Sequence, residues 1–204
     1  MKKLIVLFLA ISFFSCKKGE VYGPFKLKNG QEVELLVDHR YGSNKDLLLK
    51  LPEKEVVGDA LVGFDQREIG YTYRVKAVFH FDANPPQDAS ASSFTLSKII
   101  SKEQYKGNES FDLQLITSYV PGGPVIRLNK TGDAYYFNYD KVQLTYSNST
   151  VQAQLEEIYQ NALEVRANWQ KGQQPKWKAI KATVKHDPQK FGKAYLVQEI
   201  QFTP

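Results

Sequence analysis

Three histidines, one cysteine and a run of tyrosines are the residues of this 204-residue chain with chemistry to offer. His80-Phe81-Asp82 puts an imidazole and a carboxylate on one face of a strand, about 7 Å apart by strand rise. Such a pair can seed a metal site or the acid–base centre of a hydrolase. The same residues also suit a strand end where Asp82 serves the turn. His186-Asp187-Pro188 reads as a turn opening, because Asp-Pro initiates turns. His39 follows Asp38 beyond a hairpin and carries no motif. His-Glu-x-x-His, the Gly-x-Ser-x-Gly elbow, Walker A and Gly-x-Gly-x-x-Gly are all missing from the sequence. No catalytic residue, metal ligand or cofactor is therefore assigned, and a binding protein is favoured over an enzyme.

Tyr135, Tyr136, Phe137, Tyr139 and Tyr146 form the densest aromatic cluster. Alternation sends Tyr135, Phe137 and Tyr139 to one face and Tyr136 to the other. Packing into a core is the commoner fate of such a stripe. The alternative is a stacking surface built from Tyr135, Tyr136 and Tyr139 for an extended glycan. Lys171, Lys176, Lys178, Lys181 and Lys185 read as a solubilising face.

The elements that must position these groups are mainly strands. Asn29-Gly30 between 25–28 and 33–37 is a hairpin signal. Residues 47–51 form a short strand stopped by Pro52, and 53–66 are loops with one short strand. Over 71–82, Tyr73, Val75, Ala77, Phe79 and Phe81 alternate on one face, and Asn84-Pro85-Pro86 ends the strand. Further strands are expected at 94–101, 111–119, 134–139, 141–146, 177–186 and 193–202, with Pro121-Gly122-Gly123-Pro124 as a turn. One helix is expected over 150–170, because Val151, Leu155, Ile158, Ala162, Val165 and Trp169 make a single stripe. Ser149 with Gln152 reads as its capping box, and Gly172 as its end.

This is a mainly β (α+β) pattern: an antiparallel sheet or barrel with one amphipathic helix in the C-terminal half. Lys76-Ala77, Asp82, Leu96 and Ile100 are matched by Lys181-Ala182, Asp187, Leu196 and Ile200, which raises an internal repeat. Three strands, a helix and two strands after residue 106 is the element order of an OB-fold. Two OB-like units, 24–105 and 106–204, are one arrangement. A single curved sheet packed on the helix is the other.

Residues 1–16 carry a different kind of signal. Met1-Lys2-Lys3 is basic, residues 4–14 are apolar apart from Ser12, and Ser15-Cys16 closes the run before Lys17-Lys18. The run is too short to span a bilayer, which needs about 20 apolar residues. It is a secretory signal peptide by its layout. It resembles the signal of bacterial lipoproteins, in which a lipobox ends in the lipidated cysteine. Phe13 and Phe14 match the looser lipoboxes of Bacteroidota-type lipoproteins. The resemblance implies cleavage after residue 15, acylation of Cys16, and a tether over 16–23. It implies membrane lipid as the first partner, because two or more acyl chains anchor stably. By the same resemblance, Lys17 in place of an aspartate favours the outer membrane, and lysines rather than acidic residues just after Cys16 favour its periplasmic face.

One cysteine excludes an intrachain disulfide and a cysteine-based zinc site. A composition of 42% hydrophobic and 24% charged residues excludes wholesale disorder. The net charge of +5 includes Lys2 and Lys3, which leave with the signal, so the case for a nucleic-acid partner is weak. Membrane-anchored envelope lipoprotein, binding a glycan or an envelope protein, is the reading the sequence favours. An envelope hydrolase or metal enzyme at His80 and Asp82 is the alternative.

Overall fold

The computed structural model describes residues 19–119, 122–138 and 140–204. Cys16 and the whole signal segment lie outside them. Among the described residues the fold is mainly β, with one α-helix in the C-terminal half. The first sheet is built from β1 (Glu32–Val37), β2 (Leu48–Lys50), β3 (Glu55–Val56), β4 (Leu61–Val62), β5 (Tyr71–Phe81) and β6 (Ser92–Gln104). Then follow β7 (Phe111–Gln114), β8 (Ile116–Tyr119), β9 (Gly123–Ile126), β10 (Leu128–Thr131), β11 (Ala134–Phe137) and β12 (Val142–Tyr146). Helix α1 (Ser149–Asn168), β13 (Ala179–His186) and β14 (Ala194–Thr203) complete the chain.

The long strand β5 follows its alternation. Tyr73, Val75, Ala77 and Phe79 are buried, and Arg74 and His80 face out. Burying each large apolar side chain is worth about 1.5–3 kcal/mol, which fixes the register of the strand. The first flank expected for the Asn29-Gly30 hairpin makes only the isolated bridge from Tyr22 to Leu27. β1 already has β2 and β5 on its two sides, so no edge is left for residues 25–28 to join.

The first sheet runs β3-β2-β1-β5-β6-β4 and the second β10-β11-β12-β14-β13-β7. β7 continues into β8 through Leu115, β9 into β10 through Arg127, and β8 pairs with β9. Leu115 donates to Ile180 O and Arg127 donates to Leu115 O, so the second unit's pairing returns to its start. Its ring has six strands, one more than the five-stranded OB order. The stretch Gly123–Thr131, of which the sequence marks only Gly123-Pro124 as turn and leaves the rest unassigned, supplies the added strand. Proline in Pro124 sits at the start of β9, where a missing N–H is tolerated.

The same pairing scheme occurs twice. β1–β2, β2–β3, β1–β5 and β5–β6 are antiparallel and β4–β6 is parallel. β8–β9, β10–β11, β7–β13 and β13–β14 are antiparallel and β12–β14 is parallel. Leu35–Val75–Ile99 of the first unit corresponds in register to Leu113–Ala182–Ile200 of the second. Leu61–Phe94 likewise corresponds to Leu144–Tyr195. The match read from sequence, Ala77 to Ala182 and Ile100 to Ile200, is therefore shifted in both strands. The shift is two residues in β5, which keeps the buried face, and one residue in β6, which exchanges half-buried Ile99 for exposed Ile100.

The second unit adds the pair β11–β12 and the helix between β12 and β13. Val151, Leu155, Ile158 and Ala162 bury one face of α1 against the ring. Asn148 caps the helix, its Oδ1 accepting from Val151 N at 3.0 Å, so the cap sits one residue before the expected Ser149. The last turn tightens at Trp169–Lys171 and ends at Gly172, whose φ of 79° suits glycine. Trp169 swings out of the stripe and is 69% exposed.

Candidate functional site

The two units meet where β1 and β13 end. Beyond Val37, the Asp38 carboxylate accepts from Arg40 N, Nε and Nη2 at 2.8, 2.8 and 2.7 Å. This tight loop carries His39 across to the end of β13. His39 Nδ1 and His186 Nε2 lie 2.8 Å apart. Tyr105 stacks on the His39 ring, with centroids 3.6 Å apart. Phe111, Phe191 and Tyr195 surround His186, which is 8% exposed.

Gly70 closes this cage. Its φ is +77°, and a Cβ there would stand 2.6 Å from Phe191 Cζ and 3.2 Å from His186 Nδ1. Gly70 N donates to His39 O, and Tyr105 N donates to Gly70 O, both at 2.9 Å. His186 Nδ1 has no hydrogen-bond partner among the described residues. A bare imidazole nitrogen tolerates that isolation better than an orphaned N–H does. The proton therefore sits on His186 Nε2 and is donated to His39 Nδ1. Burial, followed by the charge of His39, pulls His186 down to about 4, against a smaller opposing pull from Asp38. Burial lowers His39 as well, with Asp38 again opposing.

A cleft of about 470 Å³ opens beside this contact, with Tyr41, Phe64, Arg67, Tyr136, Lys141 and Lys193 among its walls. Tyr41 is held from the second unit: Tyr195 Oη donates to its carbonyl at 3.1 Å and Asn138 Nδ2 to its hydroxyl at 2.9 Å. Arg67 lies over the Tyr41 ring, 4.9 Å from the centroid, and forks onto both oxygens of Asp46. Arg67 Nη2 also donates to Asp38 O at 2.6 Å, which ties the cleft to the histidine loop. Ile69, from the chain leading into β5, is packed in the second unit's core. The cleft thus combines aromatic faces with cations, and both units supply residues to it. Such a surface can stack on a ring and bond to its substituents. Comparison with protein families, curated proteins and solved structures gave no match.

Sequence expectations for site residues are distributed unevenly over this geometry. Tyr136 is half-buried and lines the cleft. Tyr135 is 3% exposed, with its hydroxyl donating to Glu156 Oε2 at 2.6 Å, so it offers no free face. Burial and Glu156 push that hydroxyl up to about 12. Tyr139 and Cys16 lie outside the described residues. His80 and Asp82 are exposed, and Asp82 Oδ1 accepts from Asn84 N as a turn residue does. His80 stands opposite Ser93 of the neighbouring strand. No cluster of three His, Cys, Asp or Glu suited to a metal occurs among the described residues. Asp187 does serve the turn, accepting from Gln189 N, and it is also buried against the Thr145 hydroxyl. The His39–His186 pair, the Arg67–Asp46 pair and Tyr41 carried no local sequence signal, because their partners lie far along the chain.

Proposed function

We propose that the chain is an envelope lipoprotein, anchored through Cys16 in the outer membrane and facing the periplasm. It acts as a non-enzymatic binding module. The observation that carries the binding role is the cleft between the units, where Tyr41, Phe64 and Arg67 of one face Tyr136 and Lys141 of the other. The anchor is carried by the basic start, the apolar run and Ser15-Cys16. No described helix is long and apolar enough to cross a membrane. A lipid anchor is the association that fits both facts.

The ligand class this reading favours is an extended glycan. Tyr136 and Tyr41 supply ring faces, and the Lys141 ammonium reaches over the same surface, 6.0 Å from the Tyr41 centroid. A glycan array probed with wild-type protein and with Tyr136→Ala tests the site. Retention by the wild type with about tenfold weaker retention by the variant supports the reading. Equal retention by the two contradicts it. Palmitate feeding tests the anchor: label in the wild type and none in Cys16→Ala is expected, and equal label in both contradicts it.

A further inference from the structure

We propose that the His39–His186 contact is a proton-sensitive latch, holding the two units together around the cleft at neutral pH and loosening them on acidification. The proposal rests on reading that cleft as the binding site and concerns its regulation.

The geometry allows one proton between the rings. His186 Nε2–H fills the 2.8 Å contact, and His39 Nδ1 must stay bare to accept it. A proton added to His39 Nδ1 would drive the His186 proton to Nδ1, against Gly70 and Phe191, where no acceptor stands among the described residues. A proton added to His186 Nδ1 directly meets the same wall, inside a cage of aromatic rings. Either event breaks the contact or forces the cage open to water.

Charged neighbours do not remove the penalty. On the His39 loop, Asp38 attracts an added proton, but its carboxylate is taken up by Arg40, which repels it. Asp46 is forked by Arg67. Glu109, from the segment before β7, adds a smaller attraction to His39. Glu68, ahead of Gly70, is paired with Lys102. Next to His186 in the chain are Lys185 and Asp187, and Asp187 is engaged by Thr145 and Gln189. Tyr105 and Tyr195 contribute rings, and Tyr195 Oη is spent on the Tyr41 carbonyl.

Three of the cleft's walls start at the latch. Tyr41 follows His39 by two residues, Arg67 to Ile69 lead into Gly70, and Gly192 and Lys193 follow Phe191. Loosening the histidines frees all three at once.

Amide hydrogen exchange on the full chain without ligand tests this, with protection factors corrected for the intrinsic pH effect. Opening to a histidine of ordinary pKa predicts protection of the Gly70 and Tyr105 amides about 30-fold lower at pH 5 than at pH 7.5. Residues 64–67 should follow them. In His186→Phe, which keeps the cage filled and leaves only His39 to titrate, protection should fall clearly less. Constant protection in the wild type, or an equal fall in the variant, overturns the latch. Should the variant not fold, ¹⁵N shifts of the wild-type histidines decide. A neutral Nε2–H tautomer at His186 at pH 6 supports the latch, and a protonated ring there overturns it. Protection that falls as stated, with no glycan retained at either pH, supports the latch and counts against the cleft as the binding site.

Discussion

His39 Nδ1 and His186 Nε2 meet at 2.8 Å although 147 residues separate them, so the contact exists only when both sheet units are folded and docked. One ring comes from the loop after β1 and the other from the last residue of β13. The consequences of that contact are measurable in stability, in packing and in charge.

Stability should fall as pH drops from about 6.5 to about 4. His186 is held near 4 when folded and titrates near 6.5 when unfolded, so the unfolded chain binds more protons between those values. The stabilisation is complete above 6.5 and is lost towards the folded value, about 3 kcal/mol between pH 7 and pH 4. His39 is shifted the same way and adds to the slope. Urea unfolding across this range should show the loss in the wild type and a clearly smaller one in His186→Phe. An unchanged slope in the variant would assign the acid sensitivity elsewhere.

Gly70→Ala should destabilise the protein by about 2–3 kcal/mol. The added Cβ meets Phe191 and the bare His186 nitrogen, and φ of +77° strains any side chain. Gly132→Ala, also at positive φ but with open space around it, should cost only about 1 kcal/mol. Denaturant midpoints at a shared m-value compare the two. Equal costs would mean that the cage has room which the structure does not show.

Arg67 and Asp46 should be energetically coupled. Their side chains are 14% and 18% exposed, and Asp46 also accepts from Gly42 N at 3.0 Å. Arg67→Met should cost about 2–3 kcal/mol by leaving that carboxylate short of partners. Asp46→Asn keeps an acceptor for Gly42. A double-mutant cycle should then give about 1–2 kcal/mol of coupling. Additive effects would reduce the pair to a surface contact.

Much of the fold was legible wherever one local period governed burial. β5 and α1 followed their alternation and their stripe, up to Val165. The strand pair across Gly123–Thr131 was hidden because Pro121-Gly122-Gly123-Pro124 reads as a stop, and the sixth strand of the ring went with it. Tyr136 could be picked out because alternation sets it apart from Tyr135 and Phe137. His39, His186 and Arg67 could not, because their meaning comes from neighbours 21 to 147 residues away. His80 and Asp82 allowed two readings from their adjacency on one strand, and Asp82 takes the turn role, because a site also needs convergent groups that adjacency does not supply.

Carriage on a membrane by Cys16 is read most directly from the intact mass of the full-length gene product extracted from membranes. The predicted species begins at Cys16 and carries added acyl mass, and Cys16→Ala yields no acylated form. A wild-type mass that starts at Met1, or that starts near residue 16 with no added lipid, would contradict the anchor and the envelope role built on it.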